Sequence, residues 1–118
     1  MEMREHGFLF CVGAEEEAAR LCPGGSLAGL KELITGNTAE ALKGRAELVC
    51  SLSRWHEKAR ALEEPGYRES PLTMDELQLL PAAAFKQLFQ EACAAILRDS
   101  RQTVEAAAQK KSEDQGSS

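Results

Sequence analysis

An apolar stripe runs along residues 38–62 and repeats at the spacing of an α-helix. Its members stand at i, i+4, i+7, i+11 and i+14: Leu48, Leu52, Trp55, Ala59 and Leu62. A second set widens the stripe in the N-terminal half: Leu42, Ala46 and Val49. The pattern predicts an amphipathic helix about 37 Å long. Because one helix cannot bury its own stripe, the rest of the chain must cover it, which favours a helical bundle.

Turn and cap residues divide the N-terminal half of the chain into two shorter helices. Residues 14–22 carry an acidic first turn and predict a helix, because the helix dipole favours negative charge there. Residues 23–25 read Pro-Gly-Gly and should end that helix. Ser26 can cap a second short helix, which Gly36 ends.

The C-terminal half has its own start and stop signals. Residues 63–72 contain two prolines and a glycine and predict a loop. Thr73 and Glu76 match a capping box and start one or two helical turns. Pro81 suits the first position of the next helix. The apolar stripe of that helix is formed by Phe85, Leu88, Phe89, Ala92 and Ile96.

The first residues of the chain have the character of strands. Residues 1–13 place aromatic and β-branched side chains around a glycine-containing turn, which predicts a short β-hairpin. Residues 1–100 therefore predict one mainly α domain, a small bundle of about four to five helices with this N-terminal hairpin. Residues 101–118 are polar and predict a flexible C-terminal tail.

Composition indicates the class of protein. The 118 residues carry a net charge of −5 and are 43% hydrophobic, which is typical of one globular domain. No stretch approaches the roughly 20 apolar residues of a membrane span, and the acidic start argues against a secretory signal. We therefore expect a cytoplasmic protein with reduced cysteines. The negative charge argues against nucleic-acid binding. A partial basic face is nevertheless formed by Lys43, Arg54, Lys58 and Arg60.

No residue pattern predicts an active site. The four cysteines and two histidines lack the close spacing of zinc ligands. Cys50 and His56 lie six residues apart on one helix and would point to different faces, so they do not predict a catalytic pair. Phosphate-binding loops and nucleophile elbows are absent from the sequence. We expect no enzymatic activity, metal, cofactor or small-molecule substrate.

The remaining signal is the shape of the predicted elements. A long amphipathic helix, a helix with aromatic side chains and a hairpin edge are typical of proteins that bind other proteins. The same residues could equally form the core of an ordinary monomer. A small helical adaptor or DNA-binding regulator is the alternative, although the loop at residues 63–72 is too long for a helix-turn-helix.

Five short segments resemble the tail assembly chaperones of long-tailed, siphovirus-type bacteriophages and prophages. Together they fall within about residues 7–111, and each is a turn or cap motif rather than a chemical signature. They are Phe8-Leu-Phe-Cys-Val-Gly-Ala14, Leu21-Cys-Pro-Gly-Gly-Ser-Leu27, Ala61-Leu-Glu-Glu-Pro-Gly-Tyr67, Pro71-Leu-Thr-Met-Asp-Glu-Leu77 and Asp99-Ser-Arg-Gln-Thr-Val-Glu105.

The resemblance implies a small helical protein that self-associates and has no catalytic role. Such proteins bind the tape measure protein, keep it soluble until tail tube subunits polymerise around it, and are absent from the mature virion. It implies a location in the cytoplasm of the bacterial host, and it names the tail tube protein as a further candidate partner. The candidate partner-binding residues are Leu48, Leu52, Trp55, Phe85 and Phe89.

Overall fold

The computed structural model describes the backbone of residues 7–116 and the side chains of residues 7–100. Five α-helices follow one another in this part of the chain: α1 (Val12–Leu21), α2 (Leu30–Thr35), α3 (Ala39–Glu63), α4 (Met74–Gln78) and α5 (Ala82–Gly116). Two short 3₁₀ turns, Pro23–Gly25 and Leu27–Gly29, join α1 to α2. The mainly α class is confirmed.

Threonine hydroxyls cap helices α3 and α4 at their N-terminal ends. The Oγ1 of Thr38 accepts a hydrogen bond from the Ala41 N–H at 3.1 Å, at the start of α3. The Oγ1 of Thr73 accepts one from the Glu76 N–H at 3.2 Å, at the start of α4. Each cap satisfies a backbone donor that the first turn of a helix leaves without an internal acceptor. These caps determine where α3 and α4 begin.

Helix α3 is the centre of the fold and contacts the other four helices. Leu48, Val49 and Leu52 are fully buried in the core. The C-terminal end of the predicted stripe differs, because Leu62 is 89% exposed. Leu42, in the widened part of the stripe, is also exposed. The stripe is therefore covered along the middle of α3 and not along its whole length.

The predicted β-hairpin at residues 1–13 is not observed in the described part of the chain, which contains no strand. Residues 1–6 lie outside the described residues. Residues 7–11, called the N-terminal segment below, have no regular structure, and α1 begins at Val12. The Leu9 N–H donates to the Leu52 carbonyl at 3.2 Å, and the Phe10 N–H donates to an Asp99 carboxylate oxygen. The segment is thus held by helices instead of a partner strand.

Helix α5 is longer than the sequence predicts. Its 35 residues correspond to about 52 Å and continue to Gly116, past the point where the apolar stripe fades. The domain boundary at residue 100 and the flexibility of residues 101–118 stay predictions. Within residues 7–116, none of the helices is both long and apolar enough for a membrane span.

Candidate partner-binding groove

The N-terminal segment is fastened to α5 by two neighbouring charged residues. The Phe10 N–H donates to Oδ2 of Asp99 at 2.8 Å, and Nη2 of Arg98 donates to the Phe8 carbonyl at 2.9 Å. Arg98 also donates to the Asp99 carboxylate, with Nε 2.9 Å from Oδ1. The aromatic ring of Phe8 is buried in the core. These contacts bring residues from opposite ends of the sequence together.

Charge and hydrogen bonding keep Asp99 ionised. Burial by itself would raise the pKa of this carboxyl, but the hydrogen bonds from Arg98 and the Phe10 N–H, with the positive charge of Arg98, lower it below its ordinary value of 3.8. A charged acceptor forms stronger hydrogen bonds than a neutral one. The ionised form of Asp99 therefore holds the N-terminal segment in place.

An apolar groove of about 560 Å³ opens beside this attachment. Its walls come from the N-terminal segment, the start of α1, the second 3₁₀ turn, the start of α2 and the middle of α5. Its lining residues are Phe10, Cys11, Val12, Glu15, Leu27, Leu30, Ile96, Asp99 and Ser100. Val12 is 82% exposed, so the groove presents apolar surface to solvent. A concave apolar surface of this kind can bind an amphipathic helix.

Among the residues whose side chains the structure describes, the charged groups that line the groove are acidic. These groups are the carboxylates of Glu15 and Asp99. The Asp99 carboxylate accepts a hydrogen bond from Arg98. Glu16 and Glu17, which follow Glu15 in α1, are paired with Arg20 and Arg54 respectively. Glu15 is exposed and has no ion pair among the described residues, so it sets the charge of the groove rim.

The Trp55 ring lies against the backbone of α1 at Gly13. A Cβ atom added to Gly13 would lie 2.4 Å from the Trp55 ring, so only glycine allows the ring to lie against the helix backbone here. The indole N–H donates to Oε1 of Glu17 at 3.1 Å. Glu17 also accepts from the Ser51 hydroxyl at 2.7 Å and from Arg54. The Glu17 carboxylate on α1 therefore binds three polar side chains that lie within about one turn of α3.

The loop between α3 and α4 is held by a buried carboxylate on α3. Both oxygens of Glu57 accept from the Tyr67 hydroxyl, at 2.8 and 2.7 Å, and one also accepts from the Ser70 N–H at 2.9 Å. Burial raises the pKa of Glu57, but these hydrogen bonds and the charges of His56 and Arg60 lower it below its ordinary value of 4.5. The predicted loop is thus ordered by contacts that its composition does not reveal.

Most of the predicted basic face is neutralised. Lys43 pairs with Glu47 at 3.9 Å, Arg60 pairs with Glu64 at 3.4 Å, and Arg54 pairs with Glu17. The Nζ of Lys58 lies 5.0 Å from the centre of the Trp55 ring. A surface on which acidic partners accompany the cations lacks the concentrated positive charge that phosphate recognition needs.

The five candidate partner-binding residues do not form one surface. Leu48 and Leu52 have no exposed area, and Phe89 is 8% exposed, so these three are core residues in this conformation. Trp55 and Phe85 are half-buried, and each retains some accessible surface. The rings of Phe85 and Phe89 stack with their centres 6.1 Å apart on one face of α5. Trp55 lies against α1 instead.

The groove residues escaped the sequence analysis for a physical reason. Val12 belongs to the predicted hairpin, and Ile96 belongs to the predicted apolar stripe of the C-terminal helix. A groove forms only where such stripes are left partly uncovered, and the sequence does not say which elements meet. The available signal is that Val12 ends an apolar run three residues before the first of three glutamates.

Comparison with protein-family models, curated proteins and solved structures finds no match to this chain. Among the residues described by the structure, no three His, Cys, Asp or Glu side chains are grouped closely enough to hold a metal ion. The groove is therefore interpreted from its own geometry and chemistry.

Proposed function

We propose that this protein is a non-enzymatic tail assembly chaperone of a long-tailed phage or prophage. In this role it self-associates, binds the tape measure protein and keeps it soluble during tail assembly. The observation that carries the proposal is the solvent-open apolar groove between the N-terminal segment, α1, α2 and α5. The resemblance of five segments to such chaperones supplies the identity of the partner.

The groove suits the physical task. A very long amphipathic helix exposes an apolar stripe that aggregates unless another surface covers it. A groove lined by Phe10, Leu27, Leu30 and Ile96 can receive apolar side chains at i, i+3 or i+4, and i+7 of such a helix. Each contact can be weak, because many copies along one long partner bind with high avidity.

Co-expression with a fragment of the tape measure protein tests the proposal. We expect the fragment to stay in the soluble fraction with the wild-type chain. Val12→Asn places an amide on the exposed rim of the groove and should reduce this solubility, whereas Leu62→Asn changes an equally exposed leucine outside the groove and should not. A fragment that precipitates equally with and without the wild-type chain contradicts the proposal.

A further inference from the structure

The charge of the groove rim indicates which kind of helix the groove can receive. Within residues 7–100, Glu15 and Asp99 are the charged residues that line the groove, and no basic side chain of this range lines it with them. The negative charge of Asp99 is already balanced by the Arg98 guanidinium, which donates hydrogen bonds to it. Glu15 therefore remains as an exposed negative charge beside apolar surface.

The neighbouring glutamates make the position of Glu15 distinctive. Glu16 lies 4.0 Å from Arg20, and Glu17 accepts hydrogen bonds from Ser51, Trp55 and Arg54. The run of three acidic residues thus contains two that act within the chain and one that points to the groove. The N-terminal end of α1 also opens there, with its partial positive charge, and Glu15 in the first turn opposes that charge.

We propose that the groove selects an amphipathic partner helix that carries Lys or Arg beside its apolar anchors, with Glu15 as the specificity-determining residue. This inference rests on the proposed function for the idea that a helix occupies the groove. Charge complementarity favours a basic partner over a second copy of this chain, because each copy carries a net charge of −5.

Two synthetic helical peptides test the inference with the full chain. Both carry Leu at i, i+4 and i+7; one has Lys on either side of this stripe, and the other has Glu. Binding of each labelled peptide is measured by fluorescence anisotropy at low and high salt. The wild-type chain should bind the Lys peptide about fivefold more tightly, and high salt should remove the difference.

Two charge variants separate a local effect from one of net charge. Glu15→Lys should reverse the preference, so that the Glu peptide binds more tightly. Glu40→Lys makes the same change in the first turn of α3, outside the groove, and should keep the wild-type preference. Circular dichroism checks that both variants remain helical.

The failures of the two proposals are distinguishable. Equal binding of both peptides to the wild-type chain, a preference for the Glu peptide, or the same shift in both variants overturns the charge inference. Absence of binding of both peptides to the wild-type chain also overturns it. The solubility of the tape measure fragment is measured separately, so a chaperone without charge selectivity would still keep that fragment soluble.

Discussion

Replacing Gly13 by alanine should destabilise the protein, although alanine is the better helix former. Gly13 lies in α1 with ordinary helical geometry, so alanine would gain up to about 1 kcal/mol from helix propensity alone. The added Cβ, however, would lie 2.4, 2.5 and 2.9 Å from three atoms of the Trp55 ring. A rigid indole can relieve this overlap only by moving as a whole.

Two unfavourable contributions set the loss of stability in Gly13→Ala. Overpacking of this kind costs about 1–3 kcal/mol, and displacement of the ring weakens the indole hydrogen bond to Glu17, worth about 1 kcal/mol. These losses exceed the propensity gain of up to about 1 kcal/mol, so we expect Gly13→Ala to lower the free energy of unfolding by about 1–3 kcal/mol.

A double-mutant cycle tests the cause of this loss. Urea unfolding followed by circular dichroism is compared for the wild type, Gly13→Ala, Trp55→Ala and the double variant. Without the indole ring, the same Gly13→Ala change should become neutral or stabilising by up to about 1 kcal/mol. If Gly13→Ala stabilises the protein equally in both backgrounds, the close packing of Trp55 on α1 is refuted.

Two further predictions concern carboxylates that are hydrogen-bonded in the fold. The pKa values of Glu17, Glu57 and Asp99 are lowered on folding, so their contribution to stability is present above their ordinary values of 4.5, 4.5 and 3.8 and is lost as pH falls through the lower folded values. Urea midpoints measured from pH 6 downward should therefore fall below about pH 4.5, and midpoints that stay constant to pH 3 would contradict this. Asp99→Ala removes the acceptor of the Phe10 N–H and should cost about 2 kcal/mol, whereas Asp99→Asn retains an oxygen acceptor and should cost about half as much. Equal unfolding free energies for both variants and the wild type would show that Asp99 does not hold the N-terminal segment.

Local chemistry determined the parts of the fold that the sequence predicted well. Thr73 caps α4 as the sequence predicts, because a cap depends on neighbouring backbone groups. Pro23-Gly24-Gly25 ends α1, where Gly24 and Gly25 take the left-handed φ values of 77° and 67° that glycine adopts freely. Such signals require no knowledge of distant segments.

Contacts between distant segments determined the parts that it missed. The N-terminal segment has strand-like side chains, but its donors find acceptors on Leu52 and Asp99, far away in the sequence. Stripe periodicity predicted Leu48 and Leu52 as apolar face residues, yet it could not distinguish a covered stripe from an accessible one. The groove could not be predicted for the same reason, because its walls combine Val12, Leu30 and Ile96 from three different helices.

The alkylation rates of the cysteines can show directly whether a partner helix occupies the groove. Cys11 lines the groove, whereas Cys22, Cys50 and Cys93 do not. Burial raises the pKa of these three thiols, that of Cys50 to about 11 with added repulsion from Glu47 and Glu76, so they should react slowly with an alkylating reagent.

The measurement is the rate of Cys11 alkylation, followed by mass spectrometry of the intact chain and its peptides, with and without saturating tape measure fragment. We expect the fragment to slow alkylation of Cys11 at least severalfold, while the slow rates of the other three thiols stay unchanged. An unchanged Cys11 rate in the presence of bound fragment would contradict it, because the partner would then lie elsewhere on the surface.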